Sequence, residues 1–153
     1  MIPPLCIAGG SVPRVHLAQR APLSDRGFAV VYSHQGGHAL HLHGYRGRWR
    51  CGSHEEALHS GVITMSPQAV GTAYDLAEAG WHWVVHFAAE PGRLAVPSWC
   101  DLGSDAAYAR GRLARITALH ALIFLISAAS TLIAVSGATT SSMISILSRS
   151  ALS

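Results

Sequence analysis

Lysine is absent from this chain. All eleven basic residues are arginine, set against eight acidic residues and ten histidines, for a formal net charge of +3. A lysine-free composition carries the mark of a GC-rich coding bias, so the pI of about 9.1 is weak evidence for a nucleic-acid partner. Charge is scarce in general, at 12% of residues, while half the residues are hydrophobic. That balance excludes general disorder. Cysteine is scarce too. Cys6, Cys51 and Cys100 are an odd number at unrelated spacings, so no disulfide framework can be read and reduced thiols in a cytoplasmic protein are expected. The opening Met1-Ile2-Pro3-Pro4-Leu5 lacks a basic region and a long apolar run, and no secretory signal is expected.

Catalytic signatures are missing as well. No Gly-x-Ser-x-Gly elbow, phosphate loop or dinucleotide fingerprint occurs. The pairs Ser33-His34, Ser53-His54 and His59-Ser60 do not make attack geometry, because neighbours on a strand point to opposite faces. The carboxylates are scattered, with Glu55-Glu56 the only adjacent pair. No catalytic residue is assigned.

A length of 153 residues suits one compact domain with a tail, and fifteen Gly with seven Pro favour a turn-rich chain over a long helical bundle. Charge is unevenly placed. The chain up to Arg115 holds ten Arg and all eight acidic residues, whereas the last 38 residues hold only Arg149. Residues 1–27 read as an irregular arm with Pro3, Pro4, Pro13 and Pro22, and at most one short strand near 12–17. From 28 onward, short apolar or alternating runs are separated by turn residues. They fall at 28–33, 38–43, 46–51, 62–66, 70–76 and 81–87, with a last run at 94–97. Short strands at nearly even spacing predict an antiparallel barrel of seven or eight strands over 28–100. Ser104 and Asp105 are placed to cap a helix starting near Ala106. The fold class is therefore mainly β with a C-terminal α element: a small antiparallel barrel followed by one or two helices.

Three places, in order, resemble the cupin-like sensor barrel of AraC-type transcription regulators. The first is Val30 to Leu42, where Gly36-Gly37 joins two alternating strands as a hairpin. The second is Leu58 to Pro67, similar to that family's step of glycine, apolar strand and proline. Gly61 would make the tight turn before the strand, and Pro67, which cannot donate to a ladder, would end it. The third is Trp81-His82-Trp83-Val84-Val85-His86-Phe87, similar to the aromatic-rich strand ending in His-Phe that closes these domains. The resemblance covers 28–87 well and 1–100 loosely.

It implies a domain that binds a small-molecule effector, a sugar or similar ligand, and dimerises. In that picture the effector biases the arm 1–27 and so changes dimer or interdomain contacts. It also raises the question of metal. His41 and His43 share a strand face about 6–7 Å apart and match the His-x-His pair of metal-binding cupins. No Glu follows at the expected offset, and the last His position is taken by Thr72. No metal or other cofactor is expected; His41 and His43 would be the pair if one bound. They are read instead as polar strand residues or pocket lining. With Trp83, whose strand face also carries Trp81, Val85 and Phe87, they are the candidate effector-binding residues. His82 and His86 lie about 13 Å apart along one strand face, too far to hold one ion together. Arg46, Arg48 and Arg50 alternate onto one solvent-facing strip, read as an edge that discourages aggregation or a surface for an anionic partner.

The AraC-type family places helix-turn-helix units after its sensor domain, and this chain ends before them, so it is expected not to bind DNA by itself. Three readings of the segment 104–138 stay open: a homodimer helix, a degenerate tail, or a membrane anchor. The anchor would be Ile116 to Ala138, 23 residues without a formal charge and long enough to cross a bilayer. Residues 139–153 are rich in Ser and Thr and read as weakly ordered. Two alternatives to a metal-free cytoplasmic sensor remain: a metal-dependent cupin enzyme of isomerase or dioxygenase type, and a membrane-tethered binding barrel.

Overall fold

The computed structural model describes residues 4–10, 12–23, 29–32 (backbone only), 37–68, 70–123 and 125. The chain divides into two compact units, Met1–Thr117 and Ala118–Ser153. The described residues of the first unit form eleven strands: β1 (Leu5–Ile7), β2 (Arg14–Leu23), β3 (Ala29–Tyr32), β4 (His38–His43), β5 (Gly47–Cys51), β6 (His54–Leu58), β7 (Val62–Ser66), β8 (Thr72–Leu76), β9 (Gly80–Ala88), β10 (Leu94–Val96) and β11 (Trp99–Asp101). A 3-10 turn (Gly103–Asp105) leads into a helix, α1, over 106–117. Residues 118–123 of the second unit are also helical.

All strand pairing is antiparallel. One sheet has the order β11-β7-β4-β9-β2, a second has β3-β8-β5-β6, and β1 pairs with β10 separately. The five-stranded sheet is buried on both faces: its outer face is apolar, and its inner face mixes apolar with polar side chains. On the outer face Leu42, Met65, Val85, Phe87 and Ala18 pack with Leu5 and with Leu113 of α1. Ala106, Ala109 and Leu113 recur at helical spacing, which gives α1 its buried stripe. Between the two sheets lies a second core of Tyr45, Trp49, Cys51, Leu58, Val62, Tyr74 and Leu76. Trp99 of β11 donates its indole N–H to the Ala57 carbonyl of β6 at 3.1 Å, which ties the two sheets together along one side.

The mainly β architecture with its following helix, starting at 106, agrees with the sequence reading. Several local expectations do not. The arm 1–27 contains β1 and the ten-residue β2, which completes the five-stranded sheet by pairing with β9; its four prolines hid a strand that needs donors on one edge only. The hairpin expected across Gly36-Gly37 does not form. β3 pairs with β8 in one sheet, while β4 lies between β7 and β9 in the other. β6 and β11 escaped notice because they are short and carry little apolar alternation. The arginine strip is not an edge either: β5 is flanked by β6 and β8. Arg46 pairs with Glu78 and Arg48 with Glu55, all at exposed positions, so two of the strip's three charges are compensated.

Among the described residues no helix is long and apolar enough to cross a membrane. The stretch Ile116 to Ala138 lies largely outside the described residues, and the tail 139–153 wholly so.

Candidate functional site

Alternation in β4, β7 and β8 sends one polar set into the space between the sheets. β4 contributes His41 and His43, β7 Thr64 and Ser66, and β8 Thr72 and Tyr74. None of the six is more than 4% exposed. The Tyr74 hydroxyl is the hub. It hydrogen-bonds His41 Nδ1 at 3.1 Å and Ser66 Oγ at 3.1 Å, with Thr64 Oγ1 at 3.4 Å. Ser66 donates to Thr72 Oγ1 at 3.2 Å. His43 is held at both ring nitrogens, by the Tyr45 hydroxyl at 2.8 Å and by Thr64 Oγ1 at 2.9 Å. Neutral imidazole, which offers one donor and one acceptor, satisfies both contacts. Trp49, directly opposite Tyr74 in the register, is fully buried, and no acceptor meets its indole N–H in hydrogen-bonding geometry. The indole is still near enough to the Tyr74 hydroxyl to help hold its pKa down. Burial dominates, however, and pushes that phenol above its ordinary value.

Three imidazoles meet at this wall. The register sets His43 opposite His82 of β9; the His41 ring centroid lies 5.2 Å from that of His82 and 6.0 Å from that of His43. Burial, followed by repulsion from His82, drives His43 down to about 3. Burial, followed by repulsion from His86, drives His82 down to about 4. His86 is lowered by burial and then by His16. At neutral pH His43 and His82 are uncharged, so they offer hydrogen bonds and not charge.

Of the residues singled out from the sequence, His41 and His43 come together as expected. Trp83 does not join them. It faces Leu42 across the ladder and packs on the outer-face core, because β9 alternates and His82, not Trp83, points between the sheets. Trp83 instead meets Trp81 edge to face, with Arg20 of β2 4.6 Å from the Trp81 ring and 6.0 Å from the Trp83 ring. The sequence reading missed Thr64, Ser66 and Tyr74, weighed His82 only as a metal partner of His86, and gave Thr72 only as an absent ligand. A hydroxyl at every second position of 64–66 and 72–74 was the available signal.

The donor set does not suit a metal ion. Both nitrogens of His43 are engaged, and among the described residues no three His, Cys, Asp or Glu side chains are placed to hold an ion. Set against known proteins, no family model matches the chain and no curated sequence matches it.

Proposed function

We propose that the first unit is a small-molecule-binding domain of the AraC-type sensor kind, the effector-binding and dimerisation part of a transcription regulator. The observation that carries this reading is the polar wall between the sheets. A sandwich selected only for stability is lined with apolar groups, since each buried polar atom left unpaired costs about 1–3 kcal/mol. Here hydroxyls, neutral imidazoles and the Trp49 indole converge on one region, a donor and acceptor set suited to an uncharged polar ligand such as a sugar.

Two of the three landmarks of the resemblance suit their proposed roles, the Gly36-Gly37 hairpin being the exception. Gly61 takes φ +100 just before β7, where a side chain is strained. Pro67 follows the last residue of that strand, and β9 ends at His86-Phe87-Ala88 between β4 and β2. Exposed Tyr108 and Ile116 on α1 suit a homodimer contact. A regulator of this kind works in the cytoplasm and leaves DNA contacts to a separate domain.

Thermal shift measurements with pentoses, hexoses and polyols at millimolar concentration test the reading. A ligand at about 100 times its Kd adds about 2.7 kcal/mol, a rise of several degrees for a domain of this size. The expected result is such a shift for at least one sugar or polyol, lost in Ser66→Ala and His41→Ala. A folded protein indifferent to the whole panel sinks the proposal.

A further inference from the structure

Charge is segregated along this chain. Residues 1–105 hold seven arginines and all eight acidic residues, a balance of −1, whereas residues 106–153 hold Arg110, Arg112, Arg115 and Arg149 and no Asp or Glu, a balance of +4. The C-terminal third is therefore the cationic part of the molecule. On α1, Arg110, Arg112 and Arg115 all stand exposed. Tyr108, Arg112 and Arg115 recur at helical spacing (i, i+4, i+7), on the side opposite the stripe of Ala106, Ala109 and Leu113 that packs on the sheet. Tyr108 is 71% exposed. No ion pair among the described residues involves an arginine of α1. The last acidic residue of the sequence, Asp105, lies about 10 Å of helix rise before Arg112.

The described residues of the second unit present apolar surface. Leu119, Leu122, Ile123 and Leu125 are each more than half exposed, and the sequence carries no formal charge from Ile116 to Ala138. Exposed aliphatic side chains this close together in sequence mark an interaction surface. Three occupants differ in how well they match it. Nucleic acid answers the arginines and leaves the leucines in water. A second copy answers the leucines but sets its own Arg112 and Arg115 against these, and residues 106–153 of neither copy bring an acidic side chain. An anionic bilayer answers both, with headgroup phosphates for the guanidinium groups and the acyl boundary for the aliphatic side chains and the ring of Tyr108.

We propose that α1 docks on the surface of an anionic lipid bilayer through Tyr108, Arg112 and Arg115, with the leucines that follow in the sequence adding apolar anchorage. The attachment is peripheral and held mainly by charge, so it reverses with salt. It does not depend on the effector-binding reading, and it competes with the homodimer contact for Tyr108.

The test is co-sedimentation of the full chain with vesicles of phosphatidylcholine alone or mixed with phosphatidylglycerol, at low salt. Analytical ultracentrifugation reads the oligomeric state of the protein without vesicles. The expected result is binding to the mixed vesicles and not to phosphatidylcholine alone, with release at about 1 M salt, where charges are screened beyond about 3 Å. Replacing both arginines, Arg112→Gln with Arg115→Gln, is expected to weaken binding on the order of tenfold or more. Both side chains are exposed, so the near-UV circular dichroism spectrum should not change. Equal binding to phosphatidylcholine alone, or retention through salt and alkaline carbonate, overturns the proposal in favour of insertion. A stable dimer that ignores both kinds of vesicle assigns the face to a second copy and overturns it too, as does a preference for duplex DNA over the mixed vesicles.

Discussion

Replacing Tyr74 by phenylalanine isolates the energetic worth of the polar wall. The phenol is 4% exposed, and its hydroxyl meets His41 Nδ1 and Ser66 Oγ at 3.1 Å each, with Thr64 Oγ1 at 3.4 Å. Phenylalanine keeps the ring and loses one oxygen, so no sizeable cavity opens and the apolar burial is preserved. What changes is hydrogen bonding. Ser66 retains Thr72 and Thr64 retains His43, but His41 Nδ1 loses its hydroxyl partner. Two well-formed neutral bonds contribute about 1 kcal/mol each, and an imidazole nitrogen stripped of its partner in a dry interior adds about 1–3 kcal/mol. The expected destabilisation is about 3–5 kcal/mol, a large fraction of the about 5–15 kcal/mol available to a domain. Urea unfolding followed by tryptophan fluorescence measures it as a shift in midpoint at constant slope. Tyr45→Phe, which removes the hydroxyl on His43 Nδ1, serves as a companion of similar expected size. A loss below about 0.5 kcal/mol with the slope unchanged refutes the reasoning. It would mean that water replaces the hydroxyl and that the space between the sheets is not dry.

Three further outcomes are expected. Leu113→Ala removes the side chain by which α1 joins the outer-face core, at 7% exposure, and calorimetry should show a loss of about 2–4 kcal/mol. Gly47→Ala drives a Cβ into the Asp75 carbonyl oxygen on β8; β5 and β8 cannot keep their spacing, and a loss of about 1–3 kcal/mol is expected in the same measurement. In a thiol titration with a disulfide reagent, exposed Cys6 reacts fastest. Buried Cys51, whose thiol is pushed up by burial, reacts only after denaturant is added.

Strand β4 was legible because strict alternation of leucine and histidine names its two faces without any knowledge of neighbours. The helix from 106 was legible for the same reason, with Ser104 and Asp105 ahead of it and no proline within it. The identity of the inward face of β9 was not. Trp83 and His82 are adjacent, and only the register that sets His43 opposite His82 decides which of them meets the candidate site. Cross-strand register is long-range information, set by which strands pair and where. The same limit hid the separation of β3 from β4 into different sheets, since a glycine pair between alternating runs looks alike in a hairpin and in a crossing between layers. Ser66, Thr72 and Tyr74 were overlooked because hydroxyl residues on short strands resemble ordinary surface positions until a second sheet covers them.

β2 carries a bulge between Val15 and Leu17, with His16 as the extra residue, and this has a consequence for how the strand tolerates length change. Removing one residue from the middle of a strand normally inverts every side chain on one side of the cut, which is why such deletions are so rarely accepted. Deleting His16 has the opposite effect. Val15 already faces Phe87 and Leu17 already faces His86, so the shortened chain keeps all its pairs and gains an uninterrupted ladder. The residue is surplus to the sheet as a scaffold, and its contribution is the imidazole it places beside His86.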